Sequence, residues 1–503
     1  VDSSFNFWQS LPAIAPQIGL TITAIVVLAL DLYLPESKRR AIGFVTAGCT
    51  LLTALLMVLF WTPTAATEGL YWGGMIRYDT LYWLFSVIVL ISCAITALLA
   101  MDVEGINRRG EFYLIMVVSS LGATLISGAS DLIMVFLGLE TVTIPLYVLA
   151  AFNRDDKRSS EGGMKYFLFG SFASALLLYG LSLLYGFTGQ TNLYAIAEYL
   201  GTPEFQVNVV PVLVAFTFIV AGFAFKISAA PFHFWTPDVY EGSPTPVTAF
   251  LSVASKAASF ALLLRFAVVA FPAALSLNGQ EIQIFWTNLA AALAIVSMIV
   301  GNALALVQKN IKRLLAYSSI SQAGYVLIGV AALSAPGEQT AVAGIAFYMI
   351  MYTFTSLLAF GIVIVFANAT GSEKISDFAG LSKRNPWMAL AMTIALLSLA
   401  GVPPAAGFFG KFFLFQSAVE SGLTGLAMFG VLMSIVALYY YLIIIKVMYV
   451  DPSADEDKPI GMSPVYAWTL GIVTVIVILL GTFLVQPVFN WALNGAQTLL
   501  GTG

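Results

Sequence analysis

The chain has 503 residues, of which 60% are apolar and only 10% charged, against roughly a quarter charged in a soluble domain. That balance excludes a soluble enzyme, and a net charge of -4 gives no basic surface for nucleic acid. Long apolar runs, with 41 glycines and 37 phenylalanines, predict an all-α polytopic membrane protein.

In chain order, runs of about twenty residues predict spans at Leu11–Leu34, Ala41–Trp61, Thr80–Met101, Glu111–Ala129, Ser130–Phe152, Met164–Phe187 and Val209–Ile227. They continue at Pro246–Phe271, Ile284–Leu306, Leu314–Ser334, Ala341–Ala369, Pro386–Glu420, Leu423–Val450 and Val465–Trp491, fourteen in all. Val1–Ser10 lacks the basic region that precedes a cleaved signal sequence, so the first run is expected to be retained as a span. Cys49 and Cys93 lie in apolar runs outside any zinc, iron–sulfur or haem spacing. No loop is long enough for a catalytic domain.

The basic residues give the orientation. Of 22 lysines and arginines, fifteen, from Lys38 to Lys458, fall in loops that follow odd-numbered spans, and only Arg77 falls in an opposite loop. Basic residues concentrate in cytoplasmic loops, so both termini are expected outside. The remaining six, Lys165, Lys226, Lys256, Arg265, Lys411 and Lys446, lie inside predicted spans.

A charge at the bilayer centre costs about 2.5–3.5 kcal/mol on insertion scales, so several in one chain argue for an ion pathway. Glu140 lies nine residues after Asp131, or roughly 14 Å along a helix, at mid-membrane. Lys256, ten residues after Pro246, is equally deep and is flanked by Ala254, Ser255, Ala257, Ala258 and Ser259, small residues that admit close helices or water. Lys226 precedes ISAAPFHFWTPDVYEGSPTP, and Lys411 follows AGVPPAAGFFG. Proline and glycine break helices, and irregular backbone at membrane depth survives only where it is buried or lines a wet cavity. His233, the only histidine, has a side chain suited to proton relay, although a hydrogen-bonded core role fits it too. Lys165 sits near the start of its span and can snorkel outward, and Arg265 and Lys446 near span ends read as snorkelling anchors.

The broken spans are the seventh and twelfth, five apart, and a five-span repeat inverts because its number of crossings is odd. This predicts an inverted pair of units, spans 4–8 (residues 111–271) and spans 9–13 (residues 284–450), preceded by three helices (1–110) and followed by one (465–491). The second unit has no carboxylate matching Glu140.

The strings FLGLETVTIPLYVLAAF, EGGMKYFLFGSFASALLLYG, KISAAPFHFWTPDVYEGSPTPVTAFLSVASK and KRLLAYSSISQAGY resemble the antiporter-like subunit N of respiratory complex I, the mitochondrial subunit 2 type, over nearly the whole chain. KISAAPFHFWTPDVYEG resembles N rather than its sisters M and L, and Lys411 resembles N or L. The resemblance implies a subunit of a proton-pumping NADH:quinone oxidoreductase, beside the M-type subunit and small membrane subunits in a bacterial plasma membrane. It implies a pair between Glu140 and Lys226, a connecting Lys256, a Lys411 facing the next site or the exit, and a functional Lys165. NADH, FMN, iron–sulfur clusters and quinone are then expected in partner subunits and no cofactor here. Rival readings are a free-standing cation/proton antiporter, which would exchange sodium when purified, and the same subunit in a complex fed by ferredoxin, a deazaflavin or hydrogen. A quinone-reducing enzyme and a solute carrier are disfavoured by the lack of a redox ligand set or a separate substrate constellation.

Overall fold

The computed structural model describes residues 7–202, 209–272, 275–277, 280–333, 337–453, 455 and 458–500. The first six residues of the segment read for a signal sequence, and the predicted end of the tenth span at Ser334, lie outside them.

The described residues are mainly helical. The helices that matter below are α1 (Ala15–Tyr33), α2 (Ala41–Phe60), α3 (Thr80–Ala100), α4 (Gly110–Ser127), α5 (Leu132–Ala150) and α6 (Lys157–Thr188). They are followed by α7 (Val209–Lys226), α8 (Trp235–Gly242), α9 (Thr245–Ala270), α10 (Ile282–Ala305), α11 (Ile311–Ala331) and α12 (Glu338–Thr370). The last five are α13 (Pro386–Ala400), α14 (Ala406–Glu420), α15 (Thr424–Tyr449), α16 (Pro464–Leu480) and α17 (Val485–Leu500). The extended structure among the described residues is two small hairpins, β1 (Gly69–Tyr71) with β2 (Ile76–Tyr78), and β3 (Ser276–Leu277) with β4 (Gln280–Glu281).

Helix starts follow local chemistry. Asp79, Asp131, Asp156, Asn310 and Asn385 each accept a first-turn N–H through the side chain, which satisfies donors that the helix itself leaves free. The two longest helices, α6 and α12, run 32 and 33 residues and end at Gly189 and Gly371, both left-handed. The sequence predicts α6 only from Met164, but the helix starts at Lys157. At about 1.5 Å per residue it spans roughly 48 Å, longer than a bilayer core of about 30 Å.

Eleven of these helices are long and apolar enough to cross a membrane, or twelve if the bent pair α16 and α17 is one span. The shorter α7 and α13 each stand before a break, at residues 227–234 and 401–405. The predicted last span is not one straight helix, because α16 and α17 meet at 78°. Past Gly481 the chain turns so that Phe489 stacks on Phe413 at 3.8 Å and Trp491 meets Trp83 edge-on at 4.7 Å. An apolar run carries no mark of that turn, since both halves suit a membrane.

α9, α11 and α12 are enclosed on all sides, whereas α1, α6 and α15 present apolar side chains outward, toward lipid or a partner. α10 and α11 approach closely because Gly301 and Gly324 face the partner helix, where a Cβ would lie 2.6 Å from Ser321 N or 2.9 Å from Ala294 O.

Loops sort onto two faces. One is basic and is stitched by Arg40 to Asp102 (2.5 Å), Arg384 to the Lys458 carbonyl (3.1 Å) and Ile311 N to Glu373 O (2.9 Å). The other is stitched by Arg77 N to Gly128 O and Leu132 N to Thr191 O, both 2.8 Å. An antiparallel bridge joins Asp131 to Asn192 on the second face, and a matching one joins Asn310 to Lys374 on the basic face.

Candidate functional site

The break after α7 places Lys226 at a helix C-terminus. Ser228 then takes a left-handed φ of +63°, unusual for a residue with a Cβ. The freed backbone finds partners: Trp235 Nε1 donates to Phe225 O (3.1 Å) and Ala230 N to Ser297 Oγ (2.9 Å). The break after α13 is closed in the same way, with Gly407 N on Ser398 Oγ at 3.2 Å. Buried irregular backbone therefore stays hydrogen-bonded.

Lys226, Lys256 and Lys411 are 6%, 2% and 4% exposed. Lys411 donates to the last carbonyls of α13, Leu399 O at 3.1 Å and Ala400 O at 3.0 Å, and to Ser434 Oγ at 2.7 Å. Carbonyls at a helix C-terminus suit a cation, and the Tyr325 ring lies 4.3 Å from the ammonium. Gly401 makes room for this lysine: its φ is +83°, and a Cβ there would lie 2.9 Å from Lys411 Cδ. Lys256 follows a π-helical turn at Leu251–Ser255, a distortion frequent at functional sites. Its ammonium donates to Ser319 O (3.0 Å) and Ser319 Oγ (2.5 Å).

Between these two lysines the structure places a polar line. Ser319 Oγ meets Tyr352 OH at 2.8 Å, and the Tyr352 ring stacks on Tyr348 at 6.4 Å, one turn along α12. Tyr348 OH donates to Gln322 Oε1, and Gln322 Nε2 to Leu399 O (2.9 Å), the carbonyl that Lys411 also holds. The step between the stacked tyrosines is the one gap along this line. Ser319 and Tyr352 are hydroxyls at mid-membrane and legible as such. Tyr348 and Gln322 are not, because only the rotation of α11 and α12 turns them inward.

The Glu140–Lys226 pair is not closed. Lys226 donates to Thr143 Oγ1, one turn beyond Glu140 on the same face of α5. No ion pair joins Lys226 to Glu140 among the described residues, and Glu140 Oε1 is buried without a hydrogen-bond partner. Lys165 lies at the basic rim, bonded to Asp238 (2.6 Å) and Glu161 (2.7 Å); Asp238 also takes Arg313 at 2.7 Å. His233 is 7% exposed, its ring 4.6 Å from that of Phe234 and its Nδ1 unpartnered among the described residues. It makes no hydrogen bond to the lysine line there.

Two cations differ from the sequence reading. Arg265 is no snorkelling anchor: it is 0% exposed and holds Asp79, also 0% exposed, through two bonds of 2.8 and 2.9 Å. The partner lies 186 residues away, so the end of an apolar run could not reveal it. Lys312, read as a loop cation, is buried at the start of α11 and holds Glu373 (3.1 Å) and Ser243 O (2.8 Å). Lys446 is exposed and bonds Asp451 at 2.9 Å.

Residues 129–437 match the family described as NADH:quinone oxidoreductase/Mrp antiporter, transmembrane. The chain belongs to that family. Within it, the chain is 42% identical to NADH-quinone oxidoreductase subunit N of Moorella thermoacetica, over 94% of this chain and 95% of that protein. It is 40% identical to NAD(P)H-quinone oxidoreductase subunit 2 of Synechocystis, over 98% and 94%. A chain of respiratory complex I from Thermus thermophilus superposes with a TM-score of 0.77 at 31% identity, covering 94% of this chain and 98% of that one. A chain of the Mrp complex from Dietzia shares the fold, with a TM-score of 0.82 at 21% identity over 98% of each. The resemblance read from the sequence strings therefore holds.

Proposed function

We propose that this chain is the antiporter-like, proton-translocating membrane subunit of an NADH:quinone oxidoreductase, and that Glu140, Lys226, Lys256 and Lys411 carry its protons. The observation that carries the reading is the near-continuous polar line from Lys256, beside a π-helical turn, to Lys411, beside the break between α13 and α14, deep in a family fold. A chain of an Mrp complex shares the fold, but relatives at 40–42% identity over nearly the whole chain are named as quinone oxidoreductase subunits. NADH, flavin, iron–sulfur clusters and quinone belong to partner subunits in this reading. The basic face is cytoplasmic by the positive-inside rule, in a bacterial plasma membrane with both termini outside, and an M-type subunit is a neighbour.

The inverted repeat belongs to the same proposal. Counting each broken pair, α7 with α8 and α13 with α14, as one span, and α16 as the last, gives fourteen. The matched bridges Asp131–Asn192 and Asn310–Lys374 on opposite faces, and the matched lengths of α6 and α12, support units at 111–271 and 284–450.

In mechanism, a buried ammonium is costly unless compensated, and a nearby carboxylate compensates it. Glu140 approaching Lys226 holds the proton there; withdrawal, leaving Thr143 as partner, releases it toward Lys256. Lys165 stays at the basic rim as a proton-handling or anchoring cation, and His233 is a relay beside the first break. The test compares wild type, Glu140→Ala and Lys226→Ala as assembled complexes in sealed liposomes. We expect quinone reduction and proton uptake to fall together, severalfold, with assembly intact; normal values for both variants would sink the assignment. Ser319→Ala leaves Lys256 one carbonyl acceptor but cuts the link to Tyr352, so coupled turnover is expected to fall roughly two- to fivefold, within about 1 kcal/mol of barrier. An unchanged rate would place the path elsewhere.

A further inference from the structure

The basic face holds a cavity of about 910 Å³ and, beside it, a smaller one of about 160 Å³ that opens between the exposed Glu104, Gly105 and Asn153. Arg158, Glu241 and Glu373 line both, so they form the wall between them. The smaller cavity is floored by Lys312, Ser243 and Thr245. Here the buried Lys312 ammonium is held by Glu373 and by the Ser243 carbonyl. Ser243 Oγ, 1% exposed as a residue, has no hydrogen-bond partner among the described residues.

Two routes run inward from this floor. Along α9, hydroxyls recur at Thr245, Thr248 and Ser252, spacings of three and four that share a helix face. They point the way to Lys256, eleven residues and roughly 16 Å from Thr245, about half a bilayer core. In parallel, Tyr240, next to the wall residue Glu241, reaches Ser319 Oγ at 3.4 Å, and Ser319 holds Lys256. On α11, Lys312 and Ser319 are seven residues apart, two turns and roughly 10 Å along one face. Leu315 and Ala316, both buried, fill the turn between them.

We propose that the Lys312–Glu373 pair is the cytoplasmic gate through which protons reach Lys256. The inference rests on the proton-translocating reading above. A proton arriving from the cavity neutralises Glu373 and ends its attraction for Lys312. The uncompensated ammonium gives its own proton inward to the hydroxyl line. Glu373 then passes its proton to Lys312, and the ion pair re-forms. One proton enters for each one delivered.

The test uses the assembled complex in sealed vesicles with the cytoplasmic face outward. Glu373→Gln is expected to lower quinone-coupled proton uptake about fivefold or more with assembly intact. Glu373→Asp, which keeps the titrating group, restores most of it, and Lys374→Ala, in the larger cavity only, leaves it unchanged. Independently, Ser243→Cys is expected to work until a membrane-impermeant methanethiosulfonate is added outside, and then to lose uptake that wild type, with its own Cys49 and Cys93, retains. Normal uptake in Glu373→Gln, or a Ser243→Cys variant that is shown to be labelled and still keeps its uptake, would overturn the gate. Lys256→Ala, run alongside, separates the two levels: if it is impaired while the gate variants are normal, only the gate is wrong, and if it too is normal, the underlying reading has failed.

Discussion

Lys256→Ala is expected to lower quinone-coupled proton uptake at least about tenfold while the complex still assembles. Lys256 is the buried ammonium at which the line to Lys411 begins, and it is held by both oxygens of Ser319. With alanine there, Ser319 and Tyr352 keep their mutual bond, but hydroxyls do not store a proton at neutral pH. Positioned acid–base groups contribute typically about 10²- to 10⁴-fold to a proton transfer. The fall should sit at the low end of that range, because water can replace part of a relay. The more telling variant is Lys256→Arg. Arginine keeps the charge and can still bond Ser319, but it does not deprotonate in proteins. If Lys256 must release its proton, arginine is as inactive as alanine although the complex stays stable; if Lys256 only holds Ser319 in place, arginine works. Parallel records of quinone reduction and proton uptake decide between them, and full coupled activity in both variants would remove Lys256 from the path.

The sequence exposed the buried lysines because a bilayer penalises charge by depth, and depth can be counted from the nearest loop. Lys226, Lys256 and Lys411 were legible for that reason, and the breaks beside two of them because proline and glycine mark unwound backbone directly. What faces what across helices is a matter of rotation, which counting residues does not supply. Thr143 rather than Glu140 holds Lys226, a difference of one turn on α5. Gln322 and Tyr348 complete the line only because α11 and α12 turn them toward each other. Charged residues near span ends were misread in both directions. Arg265 looks like a snorkelling side chain and Lys312 like a solvated one, yet each is buried against a carboxylate distant in sequence. The final bend leaves no mark in the sequence because both of its arms are apolar.

Removing one partner of the Asp79–Arg265 pair should damage the subunit more than any single change along the lysine line, and unequally. Breaking a buried ion pair costs about 3–5 kcal/mol, chiefly through the charge left behind. In Asp79→Ala that charge is Arg265, which is left with a weak 3.5 Å contact to Ser127 O and the neighbouring Tyr194 hydroxyl, and whose Nε has no partner among the described residues. The same change removes the α3 cap, because Tyr82 N donates to Asp79 Oδ1 at 2.8 Å, at a further cost of about 1 kcal/mol. In Arg265→Met the stranded carboxylate keeps that cap and gains from Arg77, whose Nε lies 3.8 Å away. Asp79→Ala is therefore expected to assemble poorly or to lose activity at markedly lower temperature, and Arg265→Met to fall between it and wild type. Asp79→Leu combined with Arg265→Met, which leaves neither charge of the fully buried pair and only the partly exposed Arg77 without its carboxylate, should recover much of the loss, as apolar replacements of buried pairs often do. The yield of assembled complex and its thermal inactivation midpoint measure all three. A double variant no better than Asp79→Ala, or an Arg265→Met more damaging than Asp79→Ala, would show that this pair is not governed by the uncompensated charge.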